Sequence, residues 1–126
     1  MTRLTVLGNR VEGSLTADQL ETFPAKETVC VVTFLTKEVT ALCPVTNQPD
    51  LYTVAITYYP TGEVVESKTL KLYLTQWRNT GIFGEDLAHT IVSDLSRVLK
   101  CRVNVVVQQQ VRGGMAMTVE ADMDTP

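Results

Sequence analysis

One amphipathic segment, lying between two strand-rich regions, constrains the fold of this 126-residue chain most strongly. From about residue 83 to residue 100, apolar side chains recur every three or four positions, at Phe83, Leu87, Ile91, Leu95 and Val98. This period predicts a helix with one apolar stripe. Such a stripe must be buried against another element, and a sheet formed by the flanking regions is the simplest cover.

The regions on either side of this helix carry strand patterns. β-branched and alternating residues predict strands at 28–35, with a continuation at 39–42, and at 51–59, 102–110 and 115–121. Cys30 lies inside the first of these apolar runs, so we expect its thiol to be buried. Residues 1–26 are mixed and polar and predict an irregular arm, and residues 122–126 predict a frayed tail.

Turn signals and a second helix complete the order. Residues 60–63 read Pro-Thr-Gly-Glu and predict a hairpin turn that returns residues 64–65 against the preceding strand. A shorter helix is expected from Ser67, as its N-cap, to Trp77. Gly81 then suits a positive φ at its end. Arg112-Gly-Gly114 predicts a tight turn between the last two strands.

The order of two strands, two helices and two strands predicts an α+β fold. Its simplest form is a four-stranded antiparallel sheet with both helices on one face, filling a single domain over residues 1–126. Such a sheet has two open edges, and edges usually pair or are covered. We therefore expect a ring-like oligomer closed by edge pairing.

Composition narrows the classes of function. The net charge of -3 gives no general attraction to nucleic acids or anionic membranes, so no partner of either kind is expected. The chain has no apolar run of about 18 residues and no signal-peptide pattern, so we expect a cytoplasmic protein. One histidine and three scattered cysteines predict free thiols and no metal site.

Residues 43–50, which read Cys-Pro-Val-Thr-Asn-Gln-Pro-Asp, form the candidate catalytic loop. Two prolines and an asparagine predict an ordered turn, where a thiol is more exposed than inside an apolar strand. A catalytic thiol reacts as the thiolate and needs an acid or base nearby, and Asp50 lies on the same loop as Cys43. A cysteine beside a turn is also often inert, so this loop alone does not decide the function.

Two basic groups suggest a phosphate site. Lys68 and Lys71 share one face of the predicted short helix, and the amides of its first turn add partial positive charge. Arg112, beside Gly113, offers a further cation on a backbone that turns sharply. Each feature also occurs on ordinary solvated surfaces.

Together these stretches resemble the NADPH-dependent 7-cyano-7-deazaguanine reductases, the nitrile reductases of the tunnelling-fold superfamily. The similarity runs in order from about residue 28 to residue 119 and is carried by residues 43–50, 66–73, 78–86 and 112–114. It implies the tunnelling fold and reduction of the nitrile of 7-cyano-7-deazaguanine to an aminomethyl group in queuosine biosynthesis. Whether the product enters tRNA or DNA modification stays open.

The resemblance also implies roles for single residues. Cys43 matches the nucleophile that forms a thioimide with the nitrile carbon, and Asp50 matches the proton donor. Glu85 matches the carboxylate that binds the pyrimidine edge of the substrate. Glu66 and Ser67 are assigned to substrate binding as well.

The cofactor and the assembly follow from the same resemblance. Lys68, Lys71, Arg112 and Gly113 are assigned to NADPH, the cations as phosphate contacts. The family assembles into rings with active sites at subunit interfaces, which implies a homodecamer of two pentamers.

One departure from the family pattern bears on activity. Gly84 stands where many relatives have a histidine before the binding glutamate, which removes a side chain that contacts substrate or shuttles protons. His89, four residues after Glu85, is a candidate replacement, although a surface or interface role is more ordinary.

Two other functions remain open. One is an NADPH-independent amidinotransferase acting on nitrile-bearing tRNA, which the cofactor cations and the acidic net charge disfavour. The other is a non-catalytic deazapurine-binding protein, which the presence of both Cys43 and Asp50 disfavours.

Overall fold

The computed structural model of the chain describes residues 14–124. A short 3-10 helix, Ala17–Gln19, precedes the strands and α-helices. In chain order these elements are β1 Thr22–Pro24, β2 Val32–Leu42, β3 Pro49–Tyr58, β4 Glu63–Val65, α1 Ser67–Leu74, α2 Gly84–Leu99, β5 Val103–Arg112 and β6 Met115–Met123. Within these residues, neither α-helix has the length and apolar character that a membrane crossing requires.

The main sheet is antiparallel, with the strand order β2-β3-β5-β6. This confirms the prediction of an α+β chain with two helices and an antiparallel sheet. The segments predicted at 28–35 and 39–42 form one strand, β2, whose register shifts between Thr36 and Val39. β2 and β6 are the two edges of the sheet.

The core lies between the sheet and the helices. Alternate residues of β3 point inward, as predicted, and α2 packs its apolar stripe over β5 and β6 of the same sheet. The fully buried members include Val54, Ile56, Val105, Val107, Leu87, Ile91 and Leu95. Each such side chain contributes about 1.5–3 kcal/mol by leaving water. The burial of these side chains therefore fixes the position of α2 along the sheet.

Residues 64–65 do not return against β3, so that prediction is wrong. They lie in β4, which pairs with β1 in a separate two-stranded sheet. The reason is topological, because β3 is a central strand whose two edges are taken by β2 and β5. The pairing also orders residues 22–24, which were predicted to belong to an irregular arm. Residues 1–13 of that arm lie outside the described part of the chain.

Several local predictions also need correction. The tail is ordered further than expected, since β6 runs to Met123 and pairs with β5 there. The N-cap of α1 is Glu66 instead of Ser67, and the helix ends at Leu74. Cys30 is exposed because it precedes the start of β2.

Gly81 does not adopt a positive φ angle, contrary to the prediction. The residue with a left-handed backbone at a helix end is Lys100, the C-cap of α2, with φ 55°. Gly81 instead forms a bridge with Leu42, the last residue of β2. This bridge ties the segment before α2 to the strand that leads into the Cys43 loop.

Candidate active site

The buried face of the sheet ends in polar side chains. Asp50 and Tyr52, two apart on β3, are 4% and 2% exposed, and Asp50 pairs in register with the buried Ala41 of β2. Cys43 follows Ala41 by two residues, so alternation places it at the same end of this face. Strand geometry thus brings a thiol, a carboxylate and a phenol together.

The loop that carries Cys43 is ordered, as predicted. The Cys43 N–H donates to the Gln48 carbonyl at 2.8 Å and extends the ladder between β2 and β3 by one rung. Asn47 N–H donates back to the Cys43 carbonyl at 2.8 Å, and Asn47 adopts a left-handed φ of 60°. Asparagine tolerates that region better than most residues, so the sequence suits the turn.

The environment of Cys43 favours its thiolate. The Thr46 hydroxyl donates to the sulfur and, with the amides of Thr46 and Val45, lowers the pKa of Cys43 below its ordinary value of 9.0. Burial instead raises the pKa of Cys101, which is fully buried. Of these two thiols, Cys43 is the one prepared to act as a nucleophile.

Asp50 forms an ion pair with Arg112 across the end of the sheet. The same guanidinium donates to the Gln48 side-chain carbonyl at 2.6 Å and to the Pro49 carbonyl at 3.5 Å. The Asp50 side chain is 6% exposed, so the pair is poorly screened by water. Arg112, which the resemblance assigned to cofactor phosphate, therefore lies in the Cys43 cluster.

The turn after Arg112 explains its placement. Gly113 and Gly114 have φ of 58° and 76° and form a two-residue turn, with Arg112 pairing with Met115. Two successive positive φ angles define the type I′ turn that joins antiparallel strands, and glycine adopts them without strain. The role that the structure gives Gly113 is thus to return the chain, and its predicted cofactor contact stays a prediction.

Tyr52 is the member of the cluster that the sequence did not single out. Burial, followed by the charges of Asp50 and Glu85, raises the pKa of Tyr52 to about 12. Glu85 is exposed in the first turn of α2, and its charge is one of those that act on the Tyr52 hydroxyl. The sequence did contain a signal for this residue, because Tyr52 lies two residues from Asp50 on the same face of the predicted strand. A buried tyrosine hydroxyl usually needs a hydrogen-bond partner.

Position 84 is filled from two sides. A Cβ on Gly84 would lie 2.7 Å from Met117 Cε and 3.5 Å from Tyr52 Cε1. The space next to the helix start is therefore taken by Tyr52 and Met117. His89, the candidate replacement for the absent histidine, is exposed on α2.

The segment 66–71 forms a second group. The buried Glu66 carboxylate accepts hydrogen bonds from the Lys68 N–H at 2.7 Å and the Thr69 N–H at 3.1 Å, so it caps α1. Those first-turn amides are then no longer open to a phosphate, contrary to the prediction. An anion at this place would be held by the exposed side chains of Lys68 and Lys71.

Ser67 and Lys71 line a cavity of about 240 Å³ between α1 and β2. Its other lining residues are mostly apolar and include Phe34, Leu35, Val39, Leu70 and Leu74. No member of the Cys43 cluster lines it.

A single chain thus brings Cys43, Asp50, Tyr52, Glu85 and Arg112 together and leaves the lysines apart. Over residues 14–124, no group of three His, Cys, Asp or Glu side chains is placed to hold a metal.

The Thr46 contact predicts an unusual reactivity of Cys43. In a Cys30→Ser background, which removes the exposed competing thiol, the alkylation rate of Cys43 should rise with pH and reach its midpoint below 9.0. Thr46→Val should move this midpoint upward because the thiolate loses its main donor. Thr46→Ser, which keeps the hydroxyl, is the control, and an equal midpoint in all three proteins would refute the assignment. Iodoacetamide labelling followed by mass spectrometry measures it.

Comparisons with known proteins identify the family of this chain. A family model described as QueF-like protein matches residues 49–126. Curated proteins named NADPH-dependent 7-cyano-7-deazaguanine reductase are similar over most of the chain. The one from Syntrophus aciditrophicus is 41% identical, covering 100% of this chain and 90% of its own length. The one from Frankia casuarinae is 42% identical, covering 94% of each.

A solved structure shares the fold. The crystal structure of the archaeosine synthase QueF-Like in the apo form matches with a TM-score of 0.71 at 23% identity, covering 76% of this chain and 95% of that one. At this identity the likeness concerns architecture alone. The family match and the identities near 40% go further. The chain belongs to the QueF-like family, together with the proteins named NADPH-dependent 7-cyano-7-deazaguanine reductase.

Proposed function

We propose that this chain is an NADPH-dependent reductase that converts the nitrile of 7-cyano-7-deazaguanine to an aminomethyl group, in the pathway to queuosine. The observation that carries the proposal is a cysteine with a lowered pKa beside a buried aspartate, Cys43 and Asp50. The relatives that are 41% and 42% identical over nearly the whole chain bear this activity in their names.

Cys43 acts as the nucleophile in this proposal. Its thiolate adds to the electrophilic nitrile carbon, a C–S bond forms, and one π pair of the C≡N bond moves to nitrogen. That nitrogen takes a proton, which gives a thioimide attached to Cys43. A thiolate is the protein nucleophile best suited to this addition, and the Thr46 hydroxyl increases the fraction of thiolate present.

Asp50 is the proton donor for the developing nitrogen anion. A carboxyl group donates only after it has taken up a proton, whereas the Asp50 carboxylate is paired with Arg112 in the structure. The donor role therefore requires Arg112 to give up or share this contact when ligands bind. Arg112 lies next to the Gly113–Gly114 turn and contacts Gln48, Pro49 and Asp50 through its side chain. Such a move therefore needs no rearrangement of the sheet.

Glu85 binds the guanine-like edge of the substrate. Two neighbouring N–H donors on that edge match the two oxygens of one carboxylate. Two observations support this role, since Glu85 is exposed and its charge acts on Tyr52 beside Asp50. Ser67 and Glu66 lie on the other group of residues, and their part in substrate binding rests on the family resemblance.

The residues beside α1 suit NADPH. Lys68 and Lys71 are exposed cations for phosphate, and Lys71 borders a cavity whose lining is mainly apolar. NADPH supplies the two hydrides that the four-electron reduction of a nitrile to an amine needs, in two successive bindings. Between them, Cys43 leaves as the thiolate when the C–S bond breaks, and an imine remains. The imine carbon then takes the second hydride and its nitrogen takes a second proton, which gives the amine.

Assembly into a ring brings the two groups of residues together. Within residues 14–124, β2 and β6 are the edges of the main sheet, and apolar side chains stay exposed on them, with Leu35 on β2 66% exposed and Met115 on β6 76% exposed. Pairing of these edges in a tunnelling-fold ring, as a homodecamer of two pentamers, would place the lysines of one subunit against Cys43 of the next. The reaction is placed in the cytoplasm, where Cys43 stays reduced.

Turnover tests this function directly. Wild-type protein should oxidise two NADPH per 7-cyano-7-deazaguanine consumed, followed by NADPH absorbance. Cys43→Ala should lower the rate by about 10³-fold or more, because the nucleophile is lost. Asp50→Asn should lower it by roughly 10²–10⁴-fold, the usual contribution of a positioned acid. Cys30→Ser is the matched thiol control and should keep full activity. NADPH oxidation that survives Cys43→Ala would contradict the proposal.

Complementation between subunits tests the shared site. Cys43→Ala and the double variant Lys68→Ala/Lys71→Ala should each be inactive alone. Co-expressed in mixed rings, they should recover roughly a quarter of wild-type activity, since about one interface in four then combines both intact parts. Rings of either variant alone are the control. If the mixture stays as inactive as its parents, the site is complete within one chain.

A further inference from the structure

The hydroxyl of Tyr52 is unusual among the buried tyrosines. Within residues 14–124, Tyr52 Oη is the buried side-chain polar atom that has no hydrogen-bond partner. Tyr58, six residues along the same strand face, accepts a hydrogen bond from the Val65 N–H at 3.1 Å. Tyr73 donates to Asp94 Oδ2 at 2.6 Å. A buried hydroxyl without a partner is unfavourable, and in a native structure such a group has a specific cause, which is strain, a bound water or ion, or a functional contact.

The position of Tyr52 points to a ligand, because it lies among the groups that the proposed chemistry uses. The charges that act on its hydroxyl come from Asp50, Glu85, Cys43 and Arg112. All four belong to the candidate active site. With a pKa of about 12, the phenol stays protonated at neutral pH and can donate a hydrogen bond.

Gly84 lies directly beside this phenol. The position of a Cβ on residue 84 is 3.5 Å from Tyr52 Cε1 and 3.7 Å from Tyr52 Oη, and Met117 Cε closes the other side at 2.7 Å. A Cβ on residue 84 would displace the flexible end of Met117 and would lie in ordinary van der Waals contact with the Tyr52 ring. The strand therefore supplies a polar group where the start of the helix supplies none.

We propose that Tyr52 is a substrate-binding residue whose hydroxyl donates a hydrogen bond to an acceptor atom of the heterocycle held between Cys43, Asp50 and Glu85. This inference rests on the proposed function, since the heterocycle is 7-cyano-7-deazaguanine. The polar contact with the substrate then comes from Tyr52 on β3, because Gly84 at the start of α2 has no side chain to make it. The reduction itself needs no added step, because Tyr52 binds and orients without exchanging its proton.

Equilibrium binding tests the inference without turnover. In a Cys43→Ala background, calorimetry with 7-cyano-7-deazaguanine gives a dissociation constant free of covalent capture. Tyr52→Phe should weaken binding about tenfold or more, because a buried acceptor on the ligand loses its donor. Its melting temperature should stay equal or rise, because an unpartnered hydroxyl is removed from the core.

Tyr58→Phe is the matched control and should behave in the opposite way. It leaves the Val65 N–H without its acceptor, so its melting temperature should fall while its affinity for the ligand stays unchanged. Equal affinity of Tyr52→Phe and its parent would overturn the role of Tyr52 and leave the proposed function standing. Absence of binding in the parent itself would overturn both. A fall in melting temperature like that of Tyr58→Phe would make Tyr52 a structural residue and would also overturn the inference.

Discussion

The packing of α2 on the antiparallel sheet is the contact on which the rest of the molecule depends. The stripe of Leu87, Ile91 and Leu95 is completely buried, and the helix lies over β5 and β6. This burial fixes where α2 begins relative to the strands, and its first turn therefore lies over the row that contains Tyr52. Glu85 reaches the cluster only because the helix is held in that registry.

The candidate site lies where this burial stops. Along β3 the inward positions change from Val54 to Tyr52 and then to Asp50, so the same alternation that builds the core ends in a phenol and a carboxylate. Low exposure there strengthens the pairing of Asp50 with Arg112 and shields the Tyr52 hydroxyl from bulk solvent. The polar groups of the candidate site thus lie at the end of the apolar face of β3, just before that face reaches solvent.

Periodicity in the sequence predicted the elements that local pattern determines. The helix of residues 83–100, the strands of the main sheet and the turn at Gly113–Gly114 follow from it. The pairing of β4 with β1 did not, because alternation does not say which edge a short strand meets. At the site, the order of motifs predicted Cys43 and Asp50 as neighbours. The position of Arg112 on Asp50 and the unpartnered hydroxyl of Tyr52 depend on contacts between residues far apart in the chain.

The central claim is that Cys43 captures the nitrile carbon, and intact-protein mass spectrometry tests it most directly. Wild-type protein incubated with 7-cyano-7-deazaguanine and no NADPH should gain the mass of one substrate, at Cys43, by addition without a leaving group. Adding NADPH should remove this mass and release the amine. Cys43→Ala should form no adduct. Nitrile reduction by Cys43→Ala at the wild-type rate would contradict capture by Cys43. An adduct at Cys30 instead of Cys43 would contradict it as well.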